Sequence, residues 1–187
     1  AAVQTKLAND AAAKRLVECG YVKTDYLAEF FGDASALDSS ADPEIASIFS
    51  GVGGLGADRE YEKTAAVMKL VVPGSAGAGT ISMGGFDYHT GDRSTGEMRD
   101  FRAGQCIGAC LEYAARRGKP LMLYVFSDGS LSSNGMIDNS AGGRGKGVWT
   151  GDNQQTAASF FLVYNPTGKP NLLVPGRQIG YFRPTGD

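Results

Sequence analysis

Asp87 and His89, in the run Gly84-Gly85-Phe86-Asp87-Tyr88-His89, set a carboxylate two residues from the chain's only histidine. In extended backbone these two polar side chains share one face while Phe86 and Tyr88 share the other, an arrangement that serves a metal ion or an acid/base pair. The simpler alternative is an aspartate that orients a structural histidine. A second acid, Asp128 in Ser127-Asp128-Gly129, follows the apolar run Leu121 to Phe126. Acids at strand exits are where α/β enzymes gather ligands and catalytic groups, although Asp-Gly is also a strong turn dipeptide. Asp152 and Asn153 precede a further apolar run, Ala157 to Tyr164. Were that run antiparallel to its neighbours, its start would bring Asp152 to the sheet edge holding Asp87 and Asp128. One imidazole with several carboxylates favours Mg2+, Ca2+ or Mn2+ over Zn2+, which prefers more nitrogen or sulfur.

Other patterns are weaker. Gly51-Val52-Gly53-Gly54-Leu55-Gly56 spells the dinucleotide-binding glycine pattern, but a helical segment precedes it and no acid follows at the spacing a ribose contact needs. Gly142 to Gly147, with Arg144 and Lys146, lacks the ending of a phosphate loop and reads as a surface loop whose charges could meet an anion or a partner. There is no Gly-x-Ser-x-Gly elbow for a serine nucleophile.

The elements that must position these residues begin with helices. Val3 to Cys19 has few breakers before Gly20, and a short helical segment runs from Asp25 to Phe31. Asp42-Pro43-Glu44 is a helix start that should stop at Gly51, and Asp58 caps the next helix, whose apolar residues Tyr61, Ala65, Met68 and Val72 recur at helical spacing. Thr80 to Met83 reads as a short strand. Ser94 and Glu97 fit a capping box for a long helix from Thr95 to Arg117 closed by Gly118. Gly104 and Gly108 on that helix would allow close approach to a sheet. Leu121 to Phe126 would then lie parallel to Thr80–Met83 through a right-handed crossover. Loop residues dominate Asp128 to Gln155, and Leu172 to Val174 and Ile179 to Phe182 are short edge-strand candidates.

Composition bounds the rest. The 187 residues, 42% hydrophobic, are enough to bury one core, so the chain reads as one domain with a helical region over 1–57 and an α/β core over 58–187. A net charge of -2 gives no electrostatic reason to expect nucleic acid or an anionic membrane. No apolar run approaches the roughly 20 residues of a membrane span, and no signal peptide pattern is present in the chain as given. Cys106 and Cys110 stand on the apolar face of the long helix and read as buried thiols.

With Gly84 to His89, Ser127-Asp128-Gly129 and Gly151-Asp152 in hand, the chain from Tyr61 to Phe182 resembles domain-of-unknown-function family 1501, bacterial proteins related to alkaline phosphatases and sulfatases. That family shows Gly-Gly-Trp-Asp-Thr-His, then a helix ending in Gly before a strand, then Ser-Glu-Phe-Gly-Arg, then Asp-His-Gly. The resemblance implies a three-layer α/β/α sandwich with a mixed, mostly parallel sheet. It carries Asp87, His89, Asp128 and Asp152 across as metal ligands. It also implies an exported or periplasmic protein, and family members usually extend beyond the point matching Asp187. Here Gly129-Ser130-Leu131 replaces the Phe-Gly-Arg ending, and Asn153 stands where the third motif has its histidine.

Two functions follow. One is a metal-dependent hydrolase-like module acting on a phosphate or sulfate ester, with Asp87, His89, Asp128 and Asp152 as ligands of a divalent Mg, Ca, Mn or Zn ion. Arg93 and Asn153 would contact the small anionic substrate. The other is a non-catalytic exported binding or assembly protein that retains the superfamily scaffold, and either reading leaves room for a homo-oligomer or assembly.

Overall fold

The computed structural model describes residues 10–30, 32, 37–86, 88, 93–127, 129–153, 157 and 159–170, and Leu172–Val174 and Ile179–Phe182 lie outside them. The chain forms α1 (Asp10–Phe30), α2 (Pro43–Ser50), a 3-10 turn (Leu55–Ala57), α3 (Arg59–Val71) and α4 (Arg93–Arg116), then β1 (Leu121–Phe126), β2 (Ser130–Asp138), β3 (Lys146–Asn153) and β4 (Ser159–Tyr164).

Local chemistry sets the helix ends. Asp42 Oδ1 accepts from the backbone N–H groups of Glu44 (3.0 Å) and Ile45 (3.3 Å), and Pro43 opens α2 without wasting a donor. Gly51 closes it. Asp58 caps α3 through the Glu60 N–H at 2.7 Å. At the end of α4, Gly118 takes φ 59° while its N–H bonds Ala115 O and that of Lys119 bonds Ala114 O, a Schellman closure that satisfies two free carbonyls.

These helices are held by one apolar cluster. Ile45 and Phe49 from α2, Tyr61, Ala65 and Met68 from α3, Val72 just beyond it, and Cys106, Ala109, Cys110, Tyr113 and Ala114 from α4 are buried together. Each set recurs at three- and four-residue intervals, so one stripe of each helix meets the others. Phe49 and Tyr61 pack with ring centroids 5.2 Å apart.

The sheets overturn the expected three-layer sandwich with a mostly parallel sheet. The described strands form two separate two-stranded antiparallel sheets, β1 with β4 and β2 with β3. Thr80–Met83 is not a strand and pairs with no described strand; its neighbourhood is pinned instead by Lys63 Nζ donating to Ser82 O (2.6 Å) and Arg99 donating to Gly84 O (2.9 Å). β1, expected to run parallel to Thr80–Met83, instead pairs antiparallel with β4. Its burial alternates: Leu121 and Leu123 rest on the helical cluster, while Met122, Tyr124 and Phe126 are exposed.

Three further expectations change. α1 runs unbroken through Gly20, where a side chain would meet open space; a single glycine costs a helix interior only about 1 kcal/mol and need not end it. The stretch read as loop from Asp128 is largely the β2/β3 hairpin, whose polar residues and register shifts around Ser133 hide the period-two signal. Gly104 and Gly108 approach nothing, whereas Gly96 carries the close contact, with the Tyr88 ring lying where its Cβ would stand.

Candidate functional site

Of the residues singled out for chemistry, Asp87, His89 and Asp128 lie outside the described residues. Asp152 and Asn153 are described in their backbone, at the end of β3. The hairpin register places Asp152 opposite Leu131 and Asn153 opposite Ser130. Asp152 therefore sits beside the strand that begins two residues after Asp128. The sequence expectation joined these acids through an antiparallel strand after Asp152, and β4 does run antiparallel to β1 with Ser159 opposite Phe126; the β2/β3 hairpin is a second pairing that joins the same chain segments.

Arg93 lies at the opposite end of the same hairpin. As the first residue of α4, it donates from Nε to Glu97 Oε1 (2.7 Å) and from Nη1 to Gly147 O (3.3 Å), and its guanidinium stands 3.6 Å from Asp138 Oδ2. Lys146 Nζ reaches the same Glu97 oxygen at 2.6 Å. Hydrogen bonds from Lys146 and then Arg93 hold the Glu97 carboxyl below its usual range. Gly147 and Asp152 stand five positions apart along β3, roughly 16 Å at strand rise. The described contacts of Arg93 tie the helix start to the hairpin turn, and an anion there would compete with Glu97 and Asp138. Glu97, expected in a capping box, holds these two cations in a helix that starts two residues earlier than anticipated.

Tyr88 is the buried member of the first motif among its described residues. It is 6% exposed, packs its ring over Gly96 and donates its hydroxyl to Asp100 Oδ2. Burial, followed by the Asp100 carboxylate, pushes its phenol well above the ordinary range, so it stays protonated. Sequence alternation pointed the aromatics away from Asp87 and His89; Tyr88 turns inward and Phe86 is partly buried, while Asp87 and His89 lie outside the described residues. The Tyr88 partner Asp100 carried no signal, because a contact twelve residues away depends on where α4 begins.

A second polar cluster joins the three core helices. Asp42, 4% exposed, accepts from Lys69 Nζ (2.7 Å) and Tyr113 Oη (3.1 Å), and Arg117 stands 3.6 Å away. Burial alone would raise its pKa, but the bonds from Lys69, the Ile45 N–H and Tyr113 together hold it below the ordinary value. Every partner is a structural neighbour of the helix cap. The glycines at 51–56 form the corner from α2 through the 3-10 turn to α3, with Gly53 and Gly54 at φ 91° and 93°; this is not the strand-to-helix turn of a dinucleotide site. Cys110 is buried and its thiol pushed up to about 12 by desolvation, while Cys106 is likewise raised by burial, so both are packing groups.

An open groove of about 260 Å³ between α2 and α4 has Ile48, Val52 and Gly108 among its lining residues. Its charged rim is self-paired, Arg116 Nε donating to Glu112 at 2.7 Å. Among the described residues no group of three His, Cys, Asp or Glu side chains could hold a metal, and no helix is long and apolar enough to cross a membrane. Comparison of the chain with protein-family models, with curated proteins and with solved structures gave no match.

Proposed function

We propose that the chain is a metal-dependent hydrolase-like module for a phosphate or sulfate ester, exported as the family resemblance implies. Asp128 and Asp152 would form one side of its cation site, with Asp87 and His89 completing it. The observation that supports this reading is the hairpin register, which sets Asp152 and Asn153 against the strand leaving Asp128. Three carboxylates and one imidazole suit a hard divalent cation. Such an ion would activate a water or hydroxyl and neutralise charge developing on the ester. Asn153, at the same end of the hairpin, is the candidate to orient an ester oxygen.

The test is calorimetric titration with Mg2+, Mn2+, Ca2+ and Zn2+. One tight site per chain, weakened at least tenfold in Asp152→Ala and in His89→Ala with folding unchanged, supports the reading. No binding of any of the four overturns it before a substrate is tried. A turnover screen with aryl phosphate and aryl sulfate esters then separates a hydrolase from a cation-stabilised scaffold.

The binding or assembly reading has its own support, the bare apolar face of the β1/β4 sheet. Met122, Tyr124 and Phe126 on β1 and Phe161 and Val163 on β4 are each at least half exposed.

A further inference from the structure

The β1/β4 sheet has two unlike faces. Leu121, Leu123 and Tyr164 pack on the helical cluster, and the opposite face carries Met122, Tyr124, Phe126, Phe161 and Val163 in the open. Neither strand contains a charged residue. The register sets Met122 opposite Val163, Tyr124 opposite Phe161 and Phe126 opposite Ser159. Tyr124 and Phe161 stack at 4.4 Å with an interplanar angle of 12°, and Tyr124 and Phe126 stack at 4.9 Å. Rings stacked on one another stand up from the sheet, so they make a ridge rather than a flat platform for a sugar ring. The face is aromatic from Tyr124 to Phe126 and aliphatic at Met122 and Val163.

We infer that this face is the contact surface of a homodimer, two copies packing sheet on sheet about a two-fold axis near the Tyr124–Phe161 pair. This deepens the binding or assembly reading, rests on it, and is independent of the hydrolase reading. Three properties of the face select a second copy. First, its two ends are unlike and complementary: under the two-fold, the aromatic Phe126 end of one copy covers the aliphatic Met122 and Val163 end of the other, each copy giving what it receives. Second, an uncharged face can meet itself with no like-charge repulsion, whereas a face with charges would need a partner of opposite sign. Third, the five half-exposed side chains present roughly 600 Å², so two copies would bury about 1,200 Å², at the lower bound of a specific interface. Aligned packing of two such sheets is the ordinary geometry of a sandwich core, and Met122 sulfur against the Phe126 ring is a favourable contact.

The experiment is sedimentation velocity of the 187-residue chain across a concentration series. A reversible monomer–dimer equilibrium is expected, its Kd raised at least tenfold by Phe126→Asp and by Val163→Lys, with circular dichroism showing both variants folded. Orientation is read by disulfide trapping in a Cys19→Ser background. Mixed Met122→Cys and Phe126→Cys chains should cross-link to each other faster than either does to itself. A dimer indifferent to both charge substitutions overturns the inference. So does a chain that stays monomeric, and dye binding then distinguishes the two failures. A monomer whose hydrophobic-dye signal falls in Phe126→Asp keeps a binding face for a different partner, and a monomer without that signal loses the binding reading as well.

Discussion

Asp42 shows how much one residue can disclose and conceal. Its capping of α2 is legible from Asp-Pro-Glu, because a cap needs only the next three residues. Its bonds to Lys69 and Tyr113 are not legible, since they reach 27 and 71 residues along the chain. Removing the carboxylate takes away the cap and leaves Lys69 beside a buried vacancy. Asp42→Ala is therefore expected to cost about 2–3 kcal/mol in denaturant unfolding. The folded pKa of Asp42 is lowered below 3.8, so its stabilisation is fully present above that value and is lost as pH falls through the folded pKa. Asp58 shifts the same way, chiefly through the Glu60 N–H. Acid unfolding should thus begin below about pH 4, and Asp42→Asn should flatten that part of the stability curve. For the cysteines, the spacing on one helix face foretold burial, and the raised thiols of Cys106 and Cys110 add chemical inertness. Iodoacetamide at pH 8 should label Cys19 alone in the native chain and all three cysteines after denaturation, read by mass spectrometry.

At the scale of elements, α4 was legible almost to its ends, from apolar periodicity and the closing Gly118. The purpose of its glycines was not. A glycine in a helix costs up to about 1 kcal/mol, and sequence cannot say whether close packing compensates. At Gly104 and Gly108 nothing lies within 4 Å of an added Cβ. Gly104→Ala and Gly108→Ala should each stabilise the chain by about 0.5–1 kcal/mol, seen as a higher Tm. Gly96→Ala should do the reverse, because the new methyl group displaces the Tyr88 ring and its bond to Asp100. The β2/β3 hairpin was missed for a related reason: Ser132, Ser133, Asn134 and Gly135 carry no apolar alternation, and the hairpin is held by its backbone ladder and by Arg93 and Lys146. Arg93→Ala should speed amide exchange across 130–153 while exchange in α2, α3 and the core-facing part of α4 stays near wild type.

For the whole molecule, the sequence by itself determined what depends on neighbours in the chain. It specified where α2 and α3 begin, where α4 stops, which helical stripes are apolar, and that Leu121–Phe126 and the run ending at Tyr164 are strands. Capping bonds, helical periodicity and β-branched or aromatic enrichment all act within a few residues, so their signals are local. Only the tertiary structure decided which strand pairs with which. An unbroken apolar strand looks alike whether it is buried on two faces or one, and backbone hydrogen bonds carry no side-chain signature of the partner. That choice replaced the parallel sheet with β1 against β4 and left an aromatic face bare. It also set Asp152 beside the strand leaving Asp128 through β2 and β3, and placed Arg93 at the far end of that hairpin.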